Sequence, residues 1–196
     1  MDSADQTNRR GLRLIRGGLD RAELGPEALQ LVVSPETDPP FPIEAMVVED
    51  DTYLVLGASP EVREPVESPL RLWTELHETE PADPGGAVFR PGRPPRISAV
   101  VHDLSQDPTW TEAWVVAALA ASLDCAGERS YRDLGLQPLG CVHGKLKRDR
   151  FVQLLRRALR TAESSSLRRI WLVGDPRRYD LSRIDEAEEP GQYHSP

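Results

Sequence analysis

Between residues 96 and 174 the chain alternates twice between strand-like and helix-like patterning. "RISAVVHDL" (Arg96 to Leu104) is a nearly continuous apolar run of strand length. "PTWTEAWVVAALAASLDCAGE" (Pro108 to Glu128) has the length of a helix and is apolar on most sides. "DLGLQPLG" (Asp133 to Gly140) reads as a second strand. Phe151, Leu154, Leu155, Ala158 and Ala162 then recur at helical spacing with arginines opposite, and "LRRIWLVG" (Leu167 to Gly174) closes as a third strand. Strands separated by helices require right-handed crossovers, so the series predicts an α/β fold with a mostly parallel sheet and helices on both faces. The three strands are expected to be neighbours flanked by the two long helices. In such sheets ligands bind outside the carboxyl ends of the strands.

The first half is less regular. Prolines cluster between Pro35 and Pro95, predicting long connections. "ALQLVVSP" (Ala28 to Pro35), "IEAMVVED" (Ile43 to Asp50), "TYLVLGA" (Thr52 to Ala58) and "GGAVFRPG" (Gly85 to Gly92) read as strands. "SPLRLWTELHET" (Ser68 to Thr79) reads as a short helix, with Ser68 as cap and Pro69 in its first position. The acids Glu49, Asp50 and Asp51 end a strand. They read as a solvated turn or as ligand-facing groups, and Asp50 is assigned to the ligand. "LRLIRGG" near the N-terminus is either a short strand or part of a flexible lead-in. The expected organisation is a lead-in over 1–26, one domain over 27–175 and a loosely ordered tail over 176–196.

A formal net charge of -8 disfavours a broad nucleic-acid surface. The two cysteines, Cys125 and Cys141, form no paired motif, so neither a disulfide framework nor a zinc spacing is indicated. The longest apolar run, "AWVVAALAASL" (Ala113 to Leu123), is too short to span a bilayer, and no signal-peptide pattern opens the chain. The expectation is a soluble cytoplasmic protein with no membrane contact.

The remaining question is "GCVHG" (Gly140 to Gly144), which joins the second strand to the second helix of the series. Glycines allow close backbone approach and positive φ. Successive amides at the start of a helix bind phosphate, and Lys145 and Lys147 add positive charge. The ligand set read from this pattern is Gly140, Cys141, Val142, His143 and Gly144, together with Asp50. A plain turn is the competing reading. Cys141 and His143 are also spaced for a nucleophile pair, but no third orienting residue can be named. His102, Cys141 and His143 lack a local metal-ligand spacing. No metal, cofactor or catalytic residue is therefore assigned.

The stretch "ERSYRDLGLQPLGCVHGKLKRDRFVQLLRRALRTAESSSLRRIWLV" resembles the C-terminal half of macro domains, where a strand ends in a Leu-Gly-Thr-Gly-His-Gly-Gly type of loop. "ISAVVHDL" is similar to the family's strand ending in Val-Ile-His-Ala-Val. "PIEAMVVEDDTYL" is similar to its Val-Asp-Ala-Ile-Val-Asn-Ala-Ala-Asn strand. The resemblance spans roughly Pro42 to Gly174. It implies a three-layer α/β/α sandwich that binds ADP-ribose or a related nucleotide or phosphate through residues 140–144. The alternative it leaves is a macro-fold protein-interaction module without a ligand. "VVED" (Val47 to Asp50) stands in place of Asn-Ala-Ala-Asn, no Gly-Gly-Gly-Val loop follows, and Val142 replaces a loop glycine. Hydrolysis of ADP-ribosyl bonds, which the resemblance associates with that asparagine motif, is not expected.

Overall fold

The computed structural model describes residues 12–16 (backbone), 29–56, 80–162 and 166–179. Seven strands form one sheet: β1 (Leu12–Arg16), β2 (Leu29–Ser34), β3 (Ala45–Asp51), β4 (Ala87–Arg90), β5 (Arg96–His102), β6 (Asp133–Leu136) and β7 (Arg169–Val173). Their order is β1-β2-β7-β6-β3-β5-β4, and every pairing is parallel except β4 with β5. Helix α1 (Glu112–Glu128) connects β5 to β6, and helix α2 (Arg148–Thr161) connects β6 to β7.

This order corrects one expectation. β6 and β7 are neighbours, but β3 separates β5 from β6. The reason lies in β3, whose residues 45, 47 and 48 are apolar and buried. Strands buried on both faces belong in the middle of a parallel sheet. The short antiparallel β4 takes the outer edge of β5 instead.

Thr111 begins α1 by accepting a hydrogen bond from the Trp114 amide at 3.2 Å. The helix then buries Val115, Ala118, Leu119, Leu123 and Ala126. In α2 the spacing of Phe151, Leu154, Leu155 and Ala158 puts them on one stripe, and all four are buried. Both helices share a core with Leu31, Val33, Val47, Ile97, Leu134, Leu136, Ile170 and Leu172. A buried side chain of this kind contributes about 1.5–3 kcal/mol relative to leaving it in water. Val32, Phe41 and Trp171 form a smaller cluster, packed with Ile43, Met46 and Val173. The two long helices therefore pack on one and the same core. The sequence-predicted helix over 68–79 lies outside the described residues.

"TYLVLGA" is not a strand over its described part. Residues 52–56 form a turn, because the Asp51 side chain captures the chain as it leaves β3. Its Oδ1 accepts from the Tyr53 amide at 2.7 Å, and the Asp51 carbonyl accepts from the Leu54 amide at 2.9 Å. Leu54 takes a positive φ of 59°, which a continuing strand cannot contain. Near the N-terminus, Leu12–Arg16 is a strand and pairs with β2. After β7, Pro176–Arg178 form a 3-10 turn, and Tyr179 is buried, its hydroxyl donating to the Val173 carbonyl. Residues 180–196 lie outside the described residues. No described helix is long and apolar enough to cross a membrane.

Candidate functional site

The site is assembled at the carboxyl ends of three adjacent strands, β6, β3 and β5. Along β3, side chains alternate between faces, and Ala45 and Val47 belong to the helix-covered core. Glu49 continues that series, so its carboxylate points to the face bearing α1 and α2. On β5 the register shifts at the same level: Asp50 pairs with Val100, but Asp51 pairs with His102. The extra residue, Val101, is a β-bulge. It returns His102 to the face that Glu49 occupies. Without it His102 would point to the other side of the sheet.

After β6 the chain enters the loop that the sequence singled out. Gly140 has φ 73°, and a Cβ there would lie 2.9 Å from Val115 Cγ2. Glycine is required on both counts. Gly144 packs against the loop itself, since a Cβ would come within 2.3 Å of the Gly140 carbonyl oxygen. The Leu146 amide donates to that same oxygen at 3.1 Å. The loop is thus a closed turn, and α2 begins only at Arg148. The candidate amides belong to the loop, not to the first turn of the helix.

Glu49 fills the concave side of this turn. Its Oε2 accepts from the Gly140 amide at 2.8 Å, and its Oε1 accepts from the His143 amide at 3.1 Å. His102 Nε2 lies 2.5 Å from Oε1, and His143 Nδ1 lies 3.3 Å from it. A carboxylate can only accept, so the His102 proton sits on Nε2. The two imidazoles meet edge to face, with centroids 6.0 Å apart. Burial pushes the Glu49 carboxyl up. The hydrogen bonds from His102 and the His143 amide, with the nearby imidazoles, outweigh it and hold the group below the usual carboxylate value. Glu49 is therefore an anion at neutral pH. It and His102 are buried, while the His143 side chain is 45% exposed. The three offer ligand atoms within 4.8 Å of one another.

The sequence-derived residues divide accordingly. Gly140 and His143 present their amides to Glu49, and the Cys141 amide bonds the Pro138 carbonyl at 3.1 Å. Val142 is 56% exposed and stands on the outside of the turn. Asp50 is fully buried, and its Oδ1 accepts from the Asp51 amide. It pairs with Val100 on the alternate side of β3 from Glu49. The three acids are not a solvated turn, for all are buried. Glu49, not Asp50, faces the loop. The signal that could have found it was its place in the buried series Ala45, Val47, Glu49. The Cys141–His143 nucleophile pair does not form. Burial pushes the Cys141 thiol up to about 12, with Arg148 opposing and Glu49 adding, so the thiolate is absent at neutral pH.

No protein-family model matches the chain, and no curated protein matches it by sequence. Solved structures do match in shape. The Oceanobacillus iheyensis macrodomain with MES bound is 12% identical, with a TM-score of 0.52, 88% of this chain covered and 88% of that one. A mutant of the same macrodomain with ADPR is 13% identical, with a TM-score of 0.53 and coverage of 76% and 86%. The macrodomain of Mycobacterium tuberculosis DarG is 15% identical, with a TM-score of 0.51 and coverage of 73% and 98%. A mostly parallel sheet with an antiparallel edge strand, joined through α1 and α2 in this order, is the α/β/α fold of the macro domain.

Proposed function

We propose that this domain is a macro-fold binding module whose strand–helix loop is closed by Glu49 and holds no diphosphate. It acts through contact with a protein partner on the surface around that loop. The carrying observation is the Glu49 carboxylate bonded to the Gly140 and His143 amides. A phosphate on those amides would have to displace it or sit beside it. A second negative charge about 4 Å away costs about 4 kcal/mol at the effective dielectric of a protein surface. Displacement sacrifices two charge-assisted hydrogen bonds of about 1.5–3 kcal/mol each. Either cost is about half of the binding free energy of a micromolar nucleotide, about 8 kcal/mol in all.

The surroundings support contact with a partner. Exposed apolar side chains stand on all three chain segments leaving this end: Tyr53 and Val55 after β3, Leu104 after β5 and Val142 after β6. Calorimetric titration with ADP-ribose in chelator-containing buffer tests the reading. No saturable heat is expected, and tight binding by the wild type would overturn it.

A second reading keeps ADP-ribose or a related nucleotide as the ligand. It draws support from the Oceanobacillus iheyensis macrodomain with ADPR, which has the same fold. Among the described residues, the amides of Val142 and Gly144 also donate to no acceptor. A nucleotide held on those outer amides would avoid the Glu49 position, and saturable binding in the same titration selects this reading.

A further inference from the structure

The groups that make this site wrong for a phosphate suit a cation. We propose that Glu49, His102 and His143 bind one divalent transition-metal ion of the zinc type. The inference rests on the reading of Glu49 as the acceptor inside the loop.

The geometry carries it. The three residues, from three adjacent strand ends, each offer one ligand atom within 4.8 Å of the others, and the atoms in closest approach are Glu49 Oε1 with His102 Nε2 and with His143 Nδ1. Two donors on a tetrahedral ion, each about 2.1 Å from it, lie about 3.4 Å apart. The Nδ1–Oε1 separation of 3.3 Å already fits. The Nε2–Oε1 separation of 2.5 Å must open by about 1 Å, a side-chain adjustment on the scale of that radius. On binding, the His102 proton moves from Nε2 to Nδ1, which frees the Nε2 lone pair for the metal and leaves the ring neutral.

The donor set selects the class of ion. Two imidazoles and one carboxylate are borderline ligands, suited to zinc, cobalt or nickel and poorly suited to calcium or magnesium. The supporting contacts are in place. The Gly140 amide fixes Oε2 and the His143 amide fixes Oε1, which holds the carboxylate in one orientation. Burial of Glu49 and His102 with a half-exposed His143 leaves the fourth position open toward solvent, for water or a ligand atom.

The test uses the full chain, stripped with chelator, dialysed and titrated with cobalt(II). The wild type is expected to take one cobalt per chain, with the intense visible absorption of a four-coordinate ion, displaced by one equivalent of zinc. His143→Ala should lower the affinity by more than the roughly 10–100-fold that supporting contacts govern. Its melting temperature without metal should match the wild type, because the side chain is half exposed and the backbone amide still bonds Glu49. Glu49→Gln should show the same loss of cobalt absorption. Absence of four-coordinate absorption in the wild type, or an affinity unchanged in both variants, would overturn the proposal. The nucleotide titration is run with chelator, so its outcome is independent of this one.

Discussion

The two ends of this sheet each hold a carboxylate, and they hold it differently. At the amino ends Asp133, the first residue of β6, faces Arg169, the first residue of β7. The guanidinium donates through Nε to Oδ1 at 2.6 Å and through Nη2 to Oδ2, and it stacks 4.4 Å over the Phe41 ring. The hydrogen bond to Asp133 raises the Arg169 pKa further, so the guanidinium keeps its charge. At the carboxyl ends no arginine among the described residues bonds Glu49. Its partners are two backbone amides and two imidazoles. The first arrangement is complete in itself and registers two strands. The second is more deeply buried, yet it opens to solvent at His143. The contrast between a closed ion pair at one end and a solvent-open cluster at the other is the reason the proposed site is placed at the carboxyl ends.

The largest effect is expected at Glu49. Glu49→Ala leaves two loop amides and the buried His102 without their acceptor. The expected loss is about 3–5 kcal/mol, the range for removing one partner of a buried pair, read as a lower midpoint in urea unfolding. A loss under about 1 kcal/mol would mean that the loop does not depend on Glu49. Gly144→Ala comes next. The added Cβ meets the Gly140 carbonyl oxygen, so the turn must open, at an expected cost of about 1–3 kcal/mol by the same measurement. Asp133→Asn should have the smallest effect, about 1–2 kcal/mol, since the amide keeps one hydrogen bond to Arg169 and the site is partly open to water.

Much of the fold was legible in the sequence. β2, β3, β5, β7 and both helices follow from apolar runs of the right length and from the stripe Phe151, Leu154, Leu155, Ala158. Strand order was not, because periodicity says which residues are buried and nothing about which strand lies beside which. The turn at 52–56 was misread as a strand, since Tyr53, Leu54 and Val55 carry strand propensity and the Asp51 side chain overrides it. At the site the glycines were legible, because Gly140 and Gly144 obey steric rules visible in one segment. Their partner was not. Glu49 is 91 residues from Gly140 in the chain. His102 reaches the same face only through a bulge that no local pattern announces.

The Glu49 carboxylate occupies the loop from within. Amide hydrogen exchange followed by NMR in metal-free buffer reads this directly at Gly140 and His143. Both amides are predicted to exchange at least about 100-fold more slowly than the amide of exposed Val142, and Glu49→Ala should remove that difference while core amides such as Ile97 stay protected. Exchange at Gly140 and His143 as fast as at Val142 in the wild type would mean that Glu49 does not hold the loop amides.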